Sequence, residues 1–267
     1  GLDSRWIACT ASRHFQVQAF SFSMGETREL LLARKVAGAL GIPHRTLEIR
    51  REDWLRNRLQ MFWESDGMLH LGHLHEGNIT SELGKQYNKV FHGFFGGGIY
   101  ASRKQCNKPM SDSMARTIFR MGEQNSQVDD VFIKGHGIDA YIIQHRMRYQ
   151  SAYSLYALSK KLHLILPFYN MDWLEVNYSL DDNWQLNSKF YLEALHRDLD
   201  KTLLRIPWQR TGVAPMYVKC NTRVIEYKVP QLIERIYTAF GASRHFINYK
   251  EFEQEIAYWM EFFKQDI

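Results

Sequence analysis

Between Gln16 and Ile49 the chain reads strand, helix, strand, and that order constrains the fold more than any other feature of the sequence. Gln16 to Met24 (QVQAFSFSM) alternates and carries aromatic residues, the pattern of a strand, and Gly25 ends it. From Glu26 to Leu40, the residues Leu30, Ala33, Val36, Ala37 and Leu40 fall on one helical face; Gly41 supplies a C-terminal stop, and Pro43 lies just beyond. Arg45 to Ile49 reads as a short second strand. A helix connecting two strands carries the chain back to its starting edge, so the strands run parallel. A helix over residues 4–12, another from Trp54 to Trp63 and a short strand from Lys89 to Phe91 continue the alternation. The expected class is therefore α/β, a parallel sheet flanked by helices. Such sheets bind ligands outside the carboxyl ends of their strands. Three segments fall there: Gly1 to Ser4, Ser21 to Gly25, and the glycine-rich run from His92 to Gly98.

The second half changes character. From Ser113 onward the signals are mostly helical, at Met114–Gly122, Ile138–Leu162, Lys189–Leu204, Gln231–Gly241 and Lys250–Lys264, with Pro167 and Pro207 interrupting. A length of 267 residues suits one large domain with an appendage. The net charge of +5 is carried by scattered lysines and arginines, which fits an anionic ligand such as a nucleotide and argues against a nucleic-acid partner. Cys9, Cys106 and Cys220 are too far apart for a metal knuckle and odd in number, so they are expected to be reduced, which points to the cytoplasm. No apolar run approaches the length of a membrane span.

The opening Gly1-Leu2-Asp3-Ser4 matches the back half of an S-G-G-x-D-S turn, although it would serve equally as the start of an ordinary helix. Other segments follow in order: Ala19-Phe20-Ser21-Phe22-Ser23; Glu29 through Ala33-Arg34-Lys35-Val36-Ala37 to Leu40-Gly41; Phe91-His92-Gly93-Phe94-Phe95-Gly96-Gly97-Gly98; Leu166-Pro167-Phe168-Tyr169-Asn170; and Lys201 to Trp208. Taken together, over roughly residues 1–212, they resemble the ATP-dependent amide-forming domain of the asparagine-synthetase-like family. The resemblance implies an adenine-nucleotide alpha-hydrolase-like fold in residues 1–212 with its first strand missing, followed by a helical extension over residues 213–267.

It also implies a chemistry, in which a carboxylate attacks the α-phosphate of ATP, pyrophosphate leaves, and an amine converts the acyl-adenylate to an amide. On that reading Gly1 and Ser4 hold pyrophosphate, and Asp3 binds Mg²⁺. The Phe22 backbone meets adenine, His92 and Gly93 face the α-phosphate and sugar, and Arg210 offsets transition-state charge. The implied partners are ATP, a small-molecule, saccharide or peptide carboxylate, and ammonia from an upstream glutaminase domain.

The departures from the family pattern lie at the reacting end. The segment S/H-G-x-G-x-D-E of the family ends here in Gly97-Gly98, and no carboxylate stands between His92 and Tyr100. In place of R-x-P-F-x-D the chain has Ile165, Pro167, Phe168 and Asn170, with Asp172 two residues on. The basic residue expected after the tryptophan falls near Thr211, with Arg210 adjacent. An acyl substrate other than aspartate follows from these losses, and the alternative is a nucleotide-binding or scaffolding relative without catalysis. Beside this pattern stand the cluster His70, His73, His75 and Glu76, which lacks a metal-site spacing, and Arg146 with Arg148, expected on a solvated helix face. The aromatic tail Tyr258, Trp259, Phe262 and Phe263 suits helix core or an oligomer contact.

Overall fold

The computed structural model describes residues 1–50, 56–67, 74, 76–96, 152–185, 188–209, 211–218 and 236. They form two compact units. One comprises residues 1–60, 70–79 and 199–267, the other residues 61–69 and 80–198, so the boundaries fall inside two helices. The class is α/β, with short parallel sheets flanked by helices.

In the first unit, α1 (Leu2–Ser12) leads to β1 (Ala19–Ser23), α2 (Arg28–Leu40) and β2 (His44–Glu48). The two strands pair parallel, Ala19 opposite His44 through to Ser23 opposite Glu48. Bonds from Ala19 N–H to the Pro43 carbonyl (2.9 Å) and from Ile49 N–H to the Ser23 carbonyl (3.0 Å) extend the ladder at both ends. The expected strand over Gln16–Met24 is thus shorter, and the expected Arg45–Ile49 begins one residue earlier, at His44.

The local signals explain α2. Its N-cap is Thr27, whose Oγ1 accepts the Leu30 N–H at 3.2 Å, so the helix starts two residues later than Glu26. Gly41 closes it in the left-handed region, φ 65°, where a glycine has no Cβ penalty. Leu30, Leu32 and Ala37 are buried, and Leu31 is exposed. Because Thr27 is buried, removing its hydroxyl leaves the Leu30 N–H without its acceptor in a dry site. Thr27→Ala is expected to lower stability by about 1 kcal/mol and Thr27→Ser by much less. Equal denaturation midpoints for the two variants would refute the capping role.

A short helix late in the chain adds to this unit. The expected single helix Lys189–Leu204 divides at Leu199–Asp200, because the Asp200 carboxylate caps a new helix, accepting the Thr202 and Leu203 N–H groups at 2.7 and 3.0 Å. The second piece, Lys201–Arg205, belongs to the first unit; its Leu203 and Leu204 are buried. Arg5 of α1, only 3% exposed, reaches this segment. Its Nη1 donates to the carbonyls of Leu203 (2.9 Å) and Ile206 (2.7 Å), and its Nη2 to that of Pro207 (2.9 Å). One guanidinium thereby satisfies three carbonyls at the end of a helix, where acceptors otherwise lack partners. Cys9 is also buried on α1, with Arg13 Nη2 at 3.4 Å from its Sγ.

The second unit has its own parallel pair, Lys89–Phe91 with His163–Ile165, in register Lys89 to His163. The strand at His163 stands directly after the expected helix Ile138–Leu162, of which the described part is helical over Ala152–Ser159. Helices Met171–Ser179 and Lys189–Asp198 follow, and Leu155, Leu158, Phe168, Tyr191, Leu192 and Leu195 are buried. The helix Gly77–Gln86, which spans a unit boundary, has no counterpart in the sequence reading. The expected helices at Met114–Gly122, Gln231–Gly241 and Lys250–Lys264 lie outside the described residues, apart from Ile236, which is helical.

Candidate nucleotide site

The first unit contains a cavity of about 300 Å³ along β1. Its walls come from the start of α1 (Gly1, Ser4), from β1 (Ser21, Phe22), from α2 (Glu29, Ala33) and from His44 at the head of β2. This is the small end of the range for ligand pockets. The fold explains why these groups meet. Gly1 caps α1, so the first turn of that helix, with its unpaired N–H groups and the positive end of the helix dipole, forms part of the wall. Ser4 is exposed, and Asp3 sits half-buried in the same turn. Parallel pairing of β1 with β2 then sets His44 beside β1.

The polar groups on the wall and beside it have distinct states. Arg5 lines the cavity, but its guanidinium is committed to the three carbonyls of residues 203–207. On α2, Arg34 is ion-paired to Glu26 at 2.7 Å on the surface. His44 is half-buried, with Nε2 3.0 Å from the Ser21 Oγ. Burial, and then the positive charge of Arg34, hold its imidazole below the ordinary histidine range, so the ring is neutral at pH 7.

Of the residues expected to serve a nucleotide, Gly1, Ser4 and Phe22 line this one cavity. His92 and Gly93 belong to the second unit, where they follow the strand Lys89–Phe91. There the His92 Nδ1 accepts the Phe94 N–H at 3.1 Å, which leaves the proton of a neutral ring on Nε2. Arg210, Gly97 and Gly98 lie outside the described residues, as do His70, His73, His75, Arg146, Arg148 and the aromatic tail.

The second unit also holds a feature that sequence reasoning missed. Phe95 stands where S/H-G-x-G-x-D-E has its second glycine, and it keeps the backbone that glycine favours, φ 78°. For a bulky side chain this region is a true outlier. The ring is held in place by burial and by an edge contact with Tyr169, centroids 5.1 Å apart. The signal was present in the alignment of the motif, as a glycine position filled by an aromatic residue. Asn170 also acquires a role: its Oδ1 accepts the Trp173 N–H at 3.2 Å and caps the helix Met171–Ser179. Asparagine caps as well as aspartate, so losing the charge at this position of R-x-P-F-x-D leaves the helix start intact.

Among the described residues no group of three His, Cys, Asp or Glu could hold a metal ion. Asp3 offers a single carboxylate. Magnesium takes few protein ligands and several from phosphate and water, so the donor set fits a cation that arrives on a nucleotide and does not fit one caged by the protein.

Residues 1–71 match the family model described as asparagine synthase. No curated protein matches the chain. The matched segment contains all of α1, β1, α2 and β2, and with them every wall of the cavity except Gln209.

Proposed function

We propose that this chain, whose first 71 residues are similar to asparagine synthase, binds ATP in the cavity of its first unit and serves carboxylate adenylation followed by amide formation. The family of the matched segment acts at the level of ATP-dependent amide synthesis; the acyl substrate proposed here is one other than aspartate. The observation that carries the reading is that Gly1 and Ser4, at the start of α1, and Phe22, near the carboxyl end of β1, wall the same cavity. Such a helix start favours an anion, and the apolar floor along β1 favours a base.

In the reaction a carboxylate oxygen bonds to the α-phosphorus of ATP while the bond to the bridging oxygen of pyrophosphate breaks. An amine then attacks the acyl carbon, loses a proton, and AMP leaves. Within this scheme the first-turn N–H groups of α1 and the Ser4 hydroxyl donate to phosphate oxygens, and the β1 backbone at Phe22 meets the base. Mg²⁺ carried on the phosphates, with Asp3 as its protein ligand, would neutralise charge on the leaving pyrophosphate. The choice of a substrate other than aspartate is supported at Ile165 and Asn170. Ile165 is apolar and paired in a strand, and the Asn170 oxygen is used as a helix cap, so neither presents a charge to an amino acid.

A second reading, nucleotide binding without turnover, is favoured by Gly97-Gly98 in place of the acidic pair and by Phe95 in place of glycine. Both readings require ATP in the first-unit cavity. Filling it by Ala33→Trp is expected to weaken ATP binding at least about tenfold, or about 1.4 kcal/mol, with helical content retained. Undiminished affinity in that variant would remove the site. Pyrophosphate release across uronic-acid and peptide carboxylates then separates the two readings, since only the synthetase releases it.

A further inference from the structure

We propose that Ser21 and His44 form a specificity-determining pair in the first-unit cavity, which favours a ligand edge bearing an N–H donor while the imidazole is neutral and disfavours that edge when the imidazole is protonated. This rests on the nucleotide reading of the cavity. Both residues line it, and the Ser21 Oγ lies 3.0 Å from His44 Nε2. A hydroxyl has one proton and two lone pairs. While the ring is neutral, Nε2 can accept the Ser21 proton, and the lone pairs of Oγ are then available to a donor such as the exocyclic amine of adenine. Once the ring is protonated, Nε2 must donate to Oγ. The hydroxyl proton is turned away from the histidine and needs an acceptor instead. Protonation therefore occupies one of the two lone pairs, turns the hydroxyl proton toward the ligand and adds a positive charge to the wall, all of which disfavour an N–H donor edge.

Other charged groups also face this cavity, among them the Gly1 amine, which burial holds below its ordinary value. β1 carries no ionisable side chain between Ala19 and Ser23. From α2, the charge of Arg34 acts on the ring, and Glu29 lies on the same wall. From α1, Arg5 lies on the wall with its guanidinium already engaged by carbonyls. The neutral state at pH 7 agrees with the direction in which burial and Arg34 push the ring. Because the bound donor edge prefers the neutral ring, affinity is constant above the midpoint of the ring in the free protein and falls as the pH drops through it.

The test compares ATP with ITP, whose base carries a carbonyl in place of the amine. Phosphate titration is common to both and cancels in the ratio of their affinities. From about pH 7.5 to about pH 5.5 the ATP-to-ITP affinity ratio is expected to fall about fivefold or more. In Ser21→Ala and His44→Gln the ratio should be flat. In the unaltered protein, NMR titration of the His44 ring should give a lower midpoint with ATP bound than without, which tests the pair whether or not the variants fold. A flat ratio in the unaltered protein, a slope that survives in both variants, or a midpoint unmoved by ATP would overturn the pair and leave the cavity reading standing. Failure of both nucleotides to bind at any pH would overturn the two together.

Discussion

Replacing Arg5 by methionine is expected to lower the free energy of unfolding by about 2–4 kcal/mol. Its guanidinium makes three hydrogen bonds to the Leu203, Ile206 and Pro207 carbonyls, at 2.7 to 2.9 Å, and is 3% exposed. A hydrogen bond from a charged donor contributes about 1.5–3 kcal/mol, and the three are not additive because the guanidinium must also be desolvated. Methionine keeps most of the stem and removes the charge, so the loss reports the unmet carbonyls and not an emptied core. Lysine should restore less than half of it, since a compact ammonium cannot reproduce the planar fork. The check is the denaturant midpoint at unchanged slope. A methionine variant as stable as the parent would mean that the carbonyls find water without penalty.

The second large effect concerns Asp3. Under the synthetase reading, Asp3→Asn is expected to reduce pyrophosphate release about a hundredfold or more, because charge on the leaving group would lose the counter-ion held by this carboxylate. Asparagine conserves shape and the capability to accept a hydrogen bond. The variant also weakens a favourable placement, an acidic side chain in the first turn of α1, by at most about 1 kcal/mol. A thermal melt separates that small structural effect from the catalytic one. Should the parent protein bind ATP without turnover, the magnesium dependence of its affinity becomes the measure, and it should vanish in Asp3→Asn. Full pyrophosphate release, or an unchanged response to magnesium, would remove Asp3 from the role.

Much of the first unit was legible because its signals are local. The apolar spacing of α2 gave Leu30 and Ala37 as buried positions, and Gly41 gave the stop, φ 65°. Parallel pairing of β1 and β2 followed from the helix between them. The start of α2 was misread because Glu26 looks like an acidic helix start, whereas Thr27 makes the cap. The strand His163–Ile165 has no counterpart in the sequence reading because it follows a helical pattern directly, with no glycine or proline to mark the change. Gly1, Ser4 and Phe22 line one cavity, and the α/β topology brings the elements that carry them to one side. Two other features could not be read from spacing: the grip of Arg5 and the Ser21–His44 pair. Each depends on which residues meet across the fold, and sequence periodicity carries no information about that.

The Arg5 clasp also bears on how the protein is made. Its partner at Leu203 is 198 positions away. The nascent α1 helix therefore leaves the ribosome long before the carbonyls it must hold have been synthesised. Closing so long a loop carries an entropic penalty that only late contacts offset. During translation the first unit must wait with its cationic side chain unsheltered, and its assembly follows the emergence of the residues between α1 and Leu203.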